Sequence, residues 1–417
     1  MRGPACLLAG AAVVLGSCYR LPIWSGDVPV ISPAEREAFE TCTGRGKLTG
    51  EGGKRLHRRP YLQSVTATSA VVAWAAWPGN LRVEVRKDGE LVATSRARYG
   101  GDPATRAAKL RHRSDAQAIA PADFYVQRAD LVDLEPHTLY CYQLLSETGP
   151  LTEPAPLLTA APPGQTEPIR FVAVGDSGTA GAAEQAVARR IAALPFDFFV
   201  FLGDIAYEEG SATQIQSAFF EVYRELLPFV PSYLTVGNHE RVTRNGAPYF
   251  DAFILPGVER YYSFDWGDVH FVAIDTTGGY AEQLAWLDRD LGANRLPWVI
   301  VFGHHPMYSN SYRGPVIAVR NRFMPVLRRH HVTMVLTGHE HHYERFDARD
   351  GIIHVVSGGG GGQLTRLYAK AGTVAQRTVH HFLAFEVTRD ALTMRAIDIE
   401  GKEFDRLELR RENRPGP

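Results

Sequence analysis

Five short apolar runs in this chain each stop at a glycine followed by a residue that can hold a metal: Gly175-Asp176, Gly203-Asp204, Gly237-Asn238, Gly303-His304 and Gly338-His339. Carboxylate, amide and imidazole are oxygen and nitrogen donors for transition metals. Glycine lets the backbone turn sharply after a strand, and sites in open α/β sheets form outside the carboxyl ends of the strands. Residues far apart in sequence can therefore converge on one rim. A lone histidine is more often a surface or satisfied core residue than a ligand. Here, of 15 histidines, 12 lie at or after His239, several in Gly-His contexts after apolar runs, which favours ligands.

The elements carrying these tips alternate between strand and helix. Strands are expected at 169–174, 198–202, 233–236, 298–302 and 333–336, and helices at 182–194, 218–227, 282–291 and 316–329. Residues 261–264 and 270–274 flank Trp266-Gly267-Asp268 as a hairpin. Such alternation argues for a layered α/β fold. Residues 58–161 look all-β instead, with clean alternation over 81–85 and a turn at Lys87-Asp88-Gly89. In Leu134-Glu135-Pro136-His137-Thr138-Leu139-Tyr140, a tyrosine at a β-sandwich corner would hydrogen-bond back to the chain a few residues upstream; a plain strand aromatic is the alternative. Residues 162–168 form a Pro-rich linker, 19–57 a tether and lead-in, 169–405 the catalytic domain and 406–417 a polar tail.

Composition bounds the remaining classes. The chain has 417 residues, 45% hydrophobic and 22% charged, which suits two or three folded domains. A formal net charge of -1 gives no support to a nucleic-acid partner. Met1-Arg2 and the apolar stretch 5–16 form a signal segment too short to span a bilayer comfortably. It ends in Leu15-Gly16-Ser17-Cys18, which resembles the lipobox of bacterial lipoproteins. The expectation is an extracytoplasmic protein held at a membrane only by lipid on Cys18, with 1–18 as its signal region; an ordinary secretory signal is the alternative. Cys42 and Cys141 could then pair in an oxidising compartment, although sequence does not show proximity.

The blocks Gly175-Asp176-Ser177-Gly178, Gly203-Asp204-Ile205-Ala206-Tyr207, Gly237-Asn238-His239-Glu240, Val301-Phe302-Gly303-His304 and Gly338-His339-Glu340-His341 together resemble the calcineurin-like metallophosphoesterase superfamily, and within it the purple acid phosphatases. Tyr207 discriminates, because its GDxxY block is similar to theirs. Arg59-Pro60-Tyr61-Leu62-Gln63 and His341-His342-Tyr343-Glu344-Arg345 extend the likeness over about residues 58–400. The resemblance implies a fibronectin type III-like sandwich followed by a four-layer αββα domain. It implies one metal held by Asp176, Asp204, Tyr207 and His341, and a second held by Asp204, Asn238, His304 and His339, with Asp204 bridging. A phenolate suits Fe(III) at the first site, and the Asn/His set suits Zn, Mn or Fe(II) at the second.

Such a pair would hydrolyse a small phosphate monoester with a metal-bound hydroxide as nucleophile. A phosphodiesterase or nucleotidase on the same scaffold is the alternative, and a catalytically silent surface-binding protein a third reading. His239, next to Asn238, is the candidate acid or phosphate contact, with a supporting role behind Asn238 as its alternative. Where the family usually carries a further histidine, this chain has Arg313, which can bind phosphate but not donate a proton; His305 could substitute or simply pack. The run 358–362 of glycines lacks a phosphate-loop lysine and reads as a close-approach loop near the rim. His380-His381 is expected to be a surface pair, and Asp275 a turn residue.

Overall fold

The computed structural model describes residues 33–77, 79–99, 125–368 and 372–411. The signal segment and Cys18 lie outside them. From Ile169 onward, buried runs of β-branched and aromatic residues build two sheets. The first is ordered Ser232–Leu234, Phe198–Phe201, Ile169–Val174, His381–Val387, Ala391–Asp398, Glu403–Arg410, with its first three strands parallel. The second is ordered Tyr262–Trp266, Val269–Ala273, Trp298–Phe302, Met334–Thr337, Ile353–Ser357, Tyr343–Phe346, Thr373–Arg377. Its strands from Val269–Ala273 through Ile353–Ser357 run parallel.

The pleat sorts the side chains of the second sheet. Trp298, Ile300 and Phe302 enter the core shared with the first sheet, whereas Val299 and Val301 enter a separate cluster with Leu287, Leu291, Phe323 and Leu327. That is the period of two in strands covered on both faces, and it explains why they read as continuous apolar runs. Between the sheets, Phe171 meets Phe271 edge-on at 5.1 Å and Tyr233 stacks on Phe264 at 3.6 Å. Helices Tyr280–Ala293 and Ile317–Arg329 cover the outside of the second sheet. Helix Ala182–Ile191 lies against the first.

The described strands between Leu56 and Leu158 form two antiparallel sheets. One contains Leu56–Gln63, Ala70–Ala76, Tyr125–Leu131 and Arg98–Tyr99. The other contains Glu90–Arg96, Arg82–Lys87, Leu139–Ser146 and Gly149–Pro150, with Ala155–Leu158 also paired to Leu139–Ser146. Asp88 and Gly89 both take positive φ, 52° and 84°, the left-handed pair that a tight hairpin needs. The Tyr140 phenol accepts the backbone N–H of Glu135 at 2.8 Å, the upstream bond expected of a corner tyrosine.

Several expectations are corrected. Within 33–57 the lead-in carries helices Pro33–Cys42 and Gly50–Arg55, and Cys42 is disulfide-bonded to Cys141, the pairing that the sequence left open. Residues 218–227 do not form an α-helix. A π-helical turn, Ile215–Phe220, gives way to turns, because Phe219, Phe220 and Tyr223 must meet Phe201 and Phe253 in the core. The polar tail begins later than 406, since strand Glu403–Arg410 pairs with Ala391–Asp398. His381 is buried rather than superficial, with its Nε2 3.0 Å from Ser357 Oγ. Asp275 does serve its turn, accepting the Thr277 N–H at 2.8 Å, and it is also buried between the guanidinium groups of Arg241 and Arg260 at 2.6 and 2.7 Å.

Candidate metal centre

The strand tips do converge. Asp176, Asp204 and His339 stand at positive φ, 57°, 51° and 69°, an arrangement that costs backbone energy and clusters at functional sites. The glycines beside them leave the required room: a Cβ at Gly237 would stand 2.1 Å from Asp204 Oδ1, and one at Gly358 2.6 Å from Asp176 Oδ2. A Cβ at Gly362 would likewise meet His341 Cε1 at 2.6 Å, so the glycine run approaches the rim closely, as read from the sequence.

The donor atoms form two adjoining groups. In the first, Tyr207 Oη lies 3.2 Å from Asp176 Oδ1 and 3.0 Å from His341 Nε2, with His341 Nε2 3.4 Å from Asp176 Oδ1. In the second, Asn238 Oδ1 lies 3.0 Å from His304 Nε2 and 2.9 Å from His339 Nδ1. Asp204 Oδ2 lies 3.1 Å from His304 Nε2, and Asp176, Asp204 and His304 each place a donor atom within 4.8 Å of the others. All seven sequence-named ligands therefore meet in one cluster. His304 Nδ1–H donates to the Leu202 carbonyl at 2.8 Å, and His341 Nδ1–H to the Gln363 carbonyl at 2.7 Å. These bonds turn both Nε2 atoms inward, the usual device for orienting a ligand imidazole.

Electrostatics carry the same message. Burial opposes charge on His304, but the neighbouring Asp204 carboxylate overcomes it and lifts the imidazole to about 10. Burial likewise disfavours the Asp204 charge, yet His304 holds that carboxyl below its ordinary range. Burial, then Asp176 and Asp204, push the Tyr207 phenol well up. Two buried carboxylates facing inward imidazoles, an amide and a phenol have no Lys or Arg among them. This mixed oxygen and nitrogen, partly anionic donor set fits a pair of transition-metal cations.

The other candidates sit around this cluster. The His239 ring packs on the edge of Tyr207 at 4.6 Å, and its Nε2 is 3.9 Å from Asp204 Oδ2. Its Nδ1–H donates to the Glu208 carbonyl at 2.5 Å, while its backbone N–H donates to Asp204 Oδ1 at 3.0 Å. It thus faces the site and also holds a candidate ligand. His305 lies 4.5 Å from the His339 ring, with Nδ1 bonded to Thr276 Oγ1 at 2.9 Å; burial, then the His304 charge, push it down to about 3. Arg313 is exposed on the adjoining loop and its Nε–H donates to Tyr312 Oη at 2.8 Å.

One buried acid escaped the sequence reading. Glu240 accepts the backbone N–H groups of Asp204, Ile205 and Gly237 at 3.0, 3.0 and 2.8 Å, locking two strand tips together. Burial, then the Asp204 charge, push it up to about 8. Its place directly after Asn238-His239 was the available signal; the donors from residues 204 and 205 could not be seen without the fold.

Residues 169–343 match the calcineurin-like phosphoesterase family model. Tartrate-resistant acid phosphatase type 5 of Homo sapiens is 26% identical over 318 residues, covering 62% of this chain and 96% of that protein. A probable inactive purple acid phosphatase of Arabidopsis thaliana is 31% identical over 191 residues, but the chain spans only 29% of its length. Among solved structures, a purple acid phosphatase from yellow lupin (Lupinus luteus) seeds superposes with TM-score 0.73 at 21% identity, covering 84% of this chain and 74% of that one. The phosphoesterase match and the acid phosphatase relatives support a metal-dependent phosphoester hydrolase. The phosphoesterase domain thus contains every inward-facing donor described above.

Proposed function

We propose that the chain hydrolyses phosphate monoesters at a binuclear centre in the manner of purple acid phosphatases. The observation that carries this reading is the phenol of Tyr207 turned onto the Asp176 carboxylate and His341. Asp176, Asp204, Tyr207 and His341 would hold one ion, which we assign as Fe(III), and Asp204, Asn238, His304 and His339 a divalent Zn, Mn or Fe(II). Such a pair, when bound, offsets charge on phosphoryl oxygens and activates water near neutral pH. Asp204 has two oxygens and can serve both ions, reducing their mutual repulsion. His239 keeps a proton on Nδ1 through the Glu208 carbonyl, so its protonated form presents Nε2–H to the leaving oxygen. Arg313 supplies positive charge to the phosphate, and His305 packs beside His339.

The paired antiparallel sheets and the Tyr140 corner support a fibronectin type III-like sandwich before the linker. The Leu15-Gly16-Ser17-Cys18 stretch supports a lipid-anchored, extracytoplasmic protein. Metal analysis and a visible spectrum of the purified chain test the centre: iron with a phenolate absorption band is expected, and an active, colourless, iron-free protein would remove the Fe(III) assignment. His239→Ala should lower turnover about 10²-fold or more, the usual worth of a general acid, while metal content is unchanged; unchanged turnover would refute its role.

A further inference from the structure

A cavity of about 190 Å³ lies at the seam between the N-terminal sheets and the phosphoesterase domain. Strand Leu56–Gln63 supplies one wall and the segment from Gln216 to Leu227 the other. No donor of the metal centre lines it. Its charged lining is lopsided: three arginines, Arg58, Arg59 and Arg224, stand against a single acid, Glu221. Two of the three keep nitrogens unmet. Arg58 is 6% exposed. Phe220 covers one face of its guanidinium at 3.5 Å, and Gln216 Oε1 accepts its Nε–H at 2.9 Å, but its Nη1 is buried with no hydrogen-bond partner. Among the described residues no carboxylate forms an ion pair with it; Glu221 acts on it only at longer range, and burial pushes the guanidinium down from its ordinary value. Arg224 Nε lies 3.3 Å from Glu225 Oε1 yet makes no hydrogen bond there. That same oxygen already accepts from Arg59 Nη1 at 3.2 Å.

A buried charge without a partner is costly, and an aromatic face offsets only part of the loss of water. We propose that the seam cavity binds a tetrahedral oxyanion, either inorganic phosphate or the phosphoryl end of a larger molecule, held by Arg58, Arg59 and Arg224. Guanidinium forks match phosphate oxygens bidentately, and an anion there gives the unmet nitrogens their acceptors. Consecutive side chains of a regular strand point to opposite faces. Here the pairing with Ala70–Ala76 slips on either side of Arg58, and both Arg58 and Arg59 reach the cavity, the re-aiming that strand irregularities allow. Because Arg224 comes from the opposite wall, the anion bridges the two units. It adds to the bond from the Leu62 N–H to the Leu227 carbonyl, at 3.0 Å, that already crosses the seam. This site stands apart from the hydrolase reading.

The test is calorimetric titration of the metal-loaded full chain with inorganic phosphate, set beside phosphate inhibition of turnover. The unaltered chain should bind one phosphate more than Arg58→Gln. Arg224→Gln should weaken the same site about tenfold or more, the worth of a hydrogen bond to a charged group, while the inhibition constant of phosphate stays the same. Should Arg58→Gln fail to fold, Arg224→Gln decides alone. Identical titrations of the unaltered chain and Arg224→Gln would overturn the site, as would a phosphate uptake wholly accounted for by inhibition. Methylphosphonate binding the seam as tightly as phosphate would assign the phosphoryl end of a larger molecule, and much weaker binding would assign free phosphate. Should the chain hydrolyse no phosphoester, the hydrolase reading fails, and the difference between the two titrations still decides the seam site.

Discussion

At the scale of single residues, Asp204 has the most to lose. It is the carboxylate placed between the two donor groups, and its backbone N–H is held by Glu240. Asp204→Asn keeps the size but removes the negative charge that a pair of cations requires. The variant should lose bound metal and turnover together, read by elemental analysis beside a phosphatase assay; full metal retention would show that the two groups do not share this residue. The residue types were legible in the sequence because Asp, Asn, His and Tyr after Gly turns carry ligand chemistry on their face. Glu240 was not, because its three donors come from two separate strand tips.

Elements are joined by two devices that stability measurements can separate. His270, in strand Val269–Ala273, sits between Asp265 at 2.6 Å and Asp290 at 2.9 Å, tying the hairpin to helix Tyr280–Ala293. Burial opposes its charge, but the two carboxylates overcome this and raise it to about 9. A folded-state value above the unfolded one means the contribution is complete below about 6.5 and fades as pH climbs through 9. His270→Gln should therefore cost on the order of 2 kcal/mol in denaturant melts at pH 6, and little at pH 10.5; an equal loss at both would show that packing, not charge, was responsible. The second device is the Cys42–Cys141 bond, closing a span of 99 residues between helix Pro33–Cys42 and strand Leu139–Ser146. Cys42→Ala with Cys141→Ala should cost about 2–4 kcal/mol, seen as a lower Tm, without altering metal content. The helix 218–227 failed as an expectation at this scale: its apolar spacing is genuine, yet the aromatic demands of the core bent the segment into π and turn geometry.

In the whole molecule, the N-terminal sheets and the phosphoesterase domain share one continuous apolar core, in which Tyr61, Trp74 and Tyr142 join the same cluster as Phe171 and Phe198. Polar ties reinforce it: Tyr142 Oη donates to the Pro228 carbonyl at 2.6 Å, and Gln63 bridges the Ser232 carbonyl and the Ile254 N–H at 3.1 and 3.2 Å. Unfolding should be a single calorimetric transition despite the Pro-rich linker. Chelation should lower its Tm as one unit, because ligand binding to the folded state alone stabilises the whole cooperative structure. Two resolved transitions, with only one moved by chelator, would show that the sheets fold independently.

What the sequence determined by itself is chemical and periodic. Apolar runs ending in Gly-Asp, Gly-Asn or Gly-His name both the parallel strands and the donor atoms, since composition and local spacing suffice for each. Only the tertiary structure decided that the seven donors meet, that Arg58 and Arg224 line one cavity, and that Cys42 reaches Cys141. Those facts depend on distances between segments far apart in the chain, which are set by sheet order and by how two sheets pack their inner faces, and no local pattern of residues encodes them.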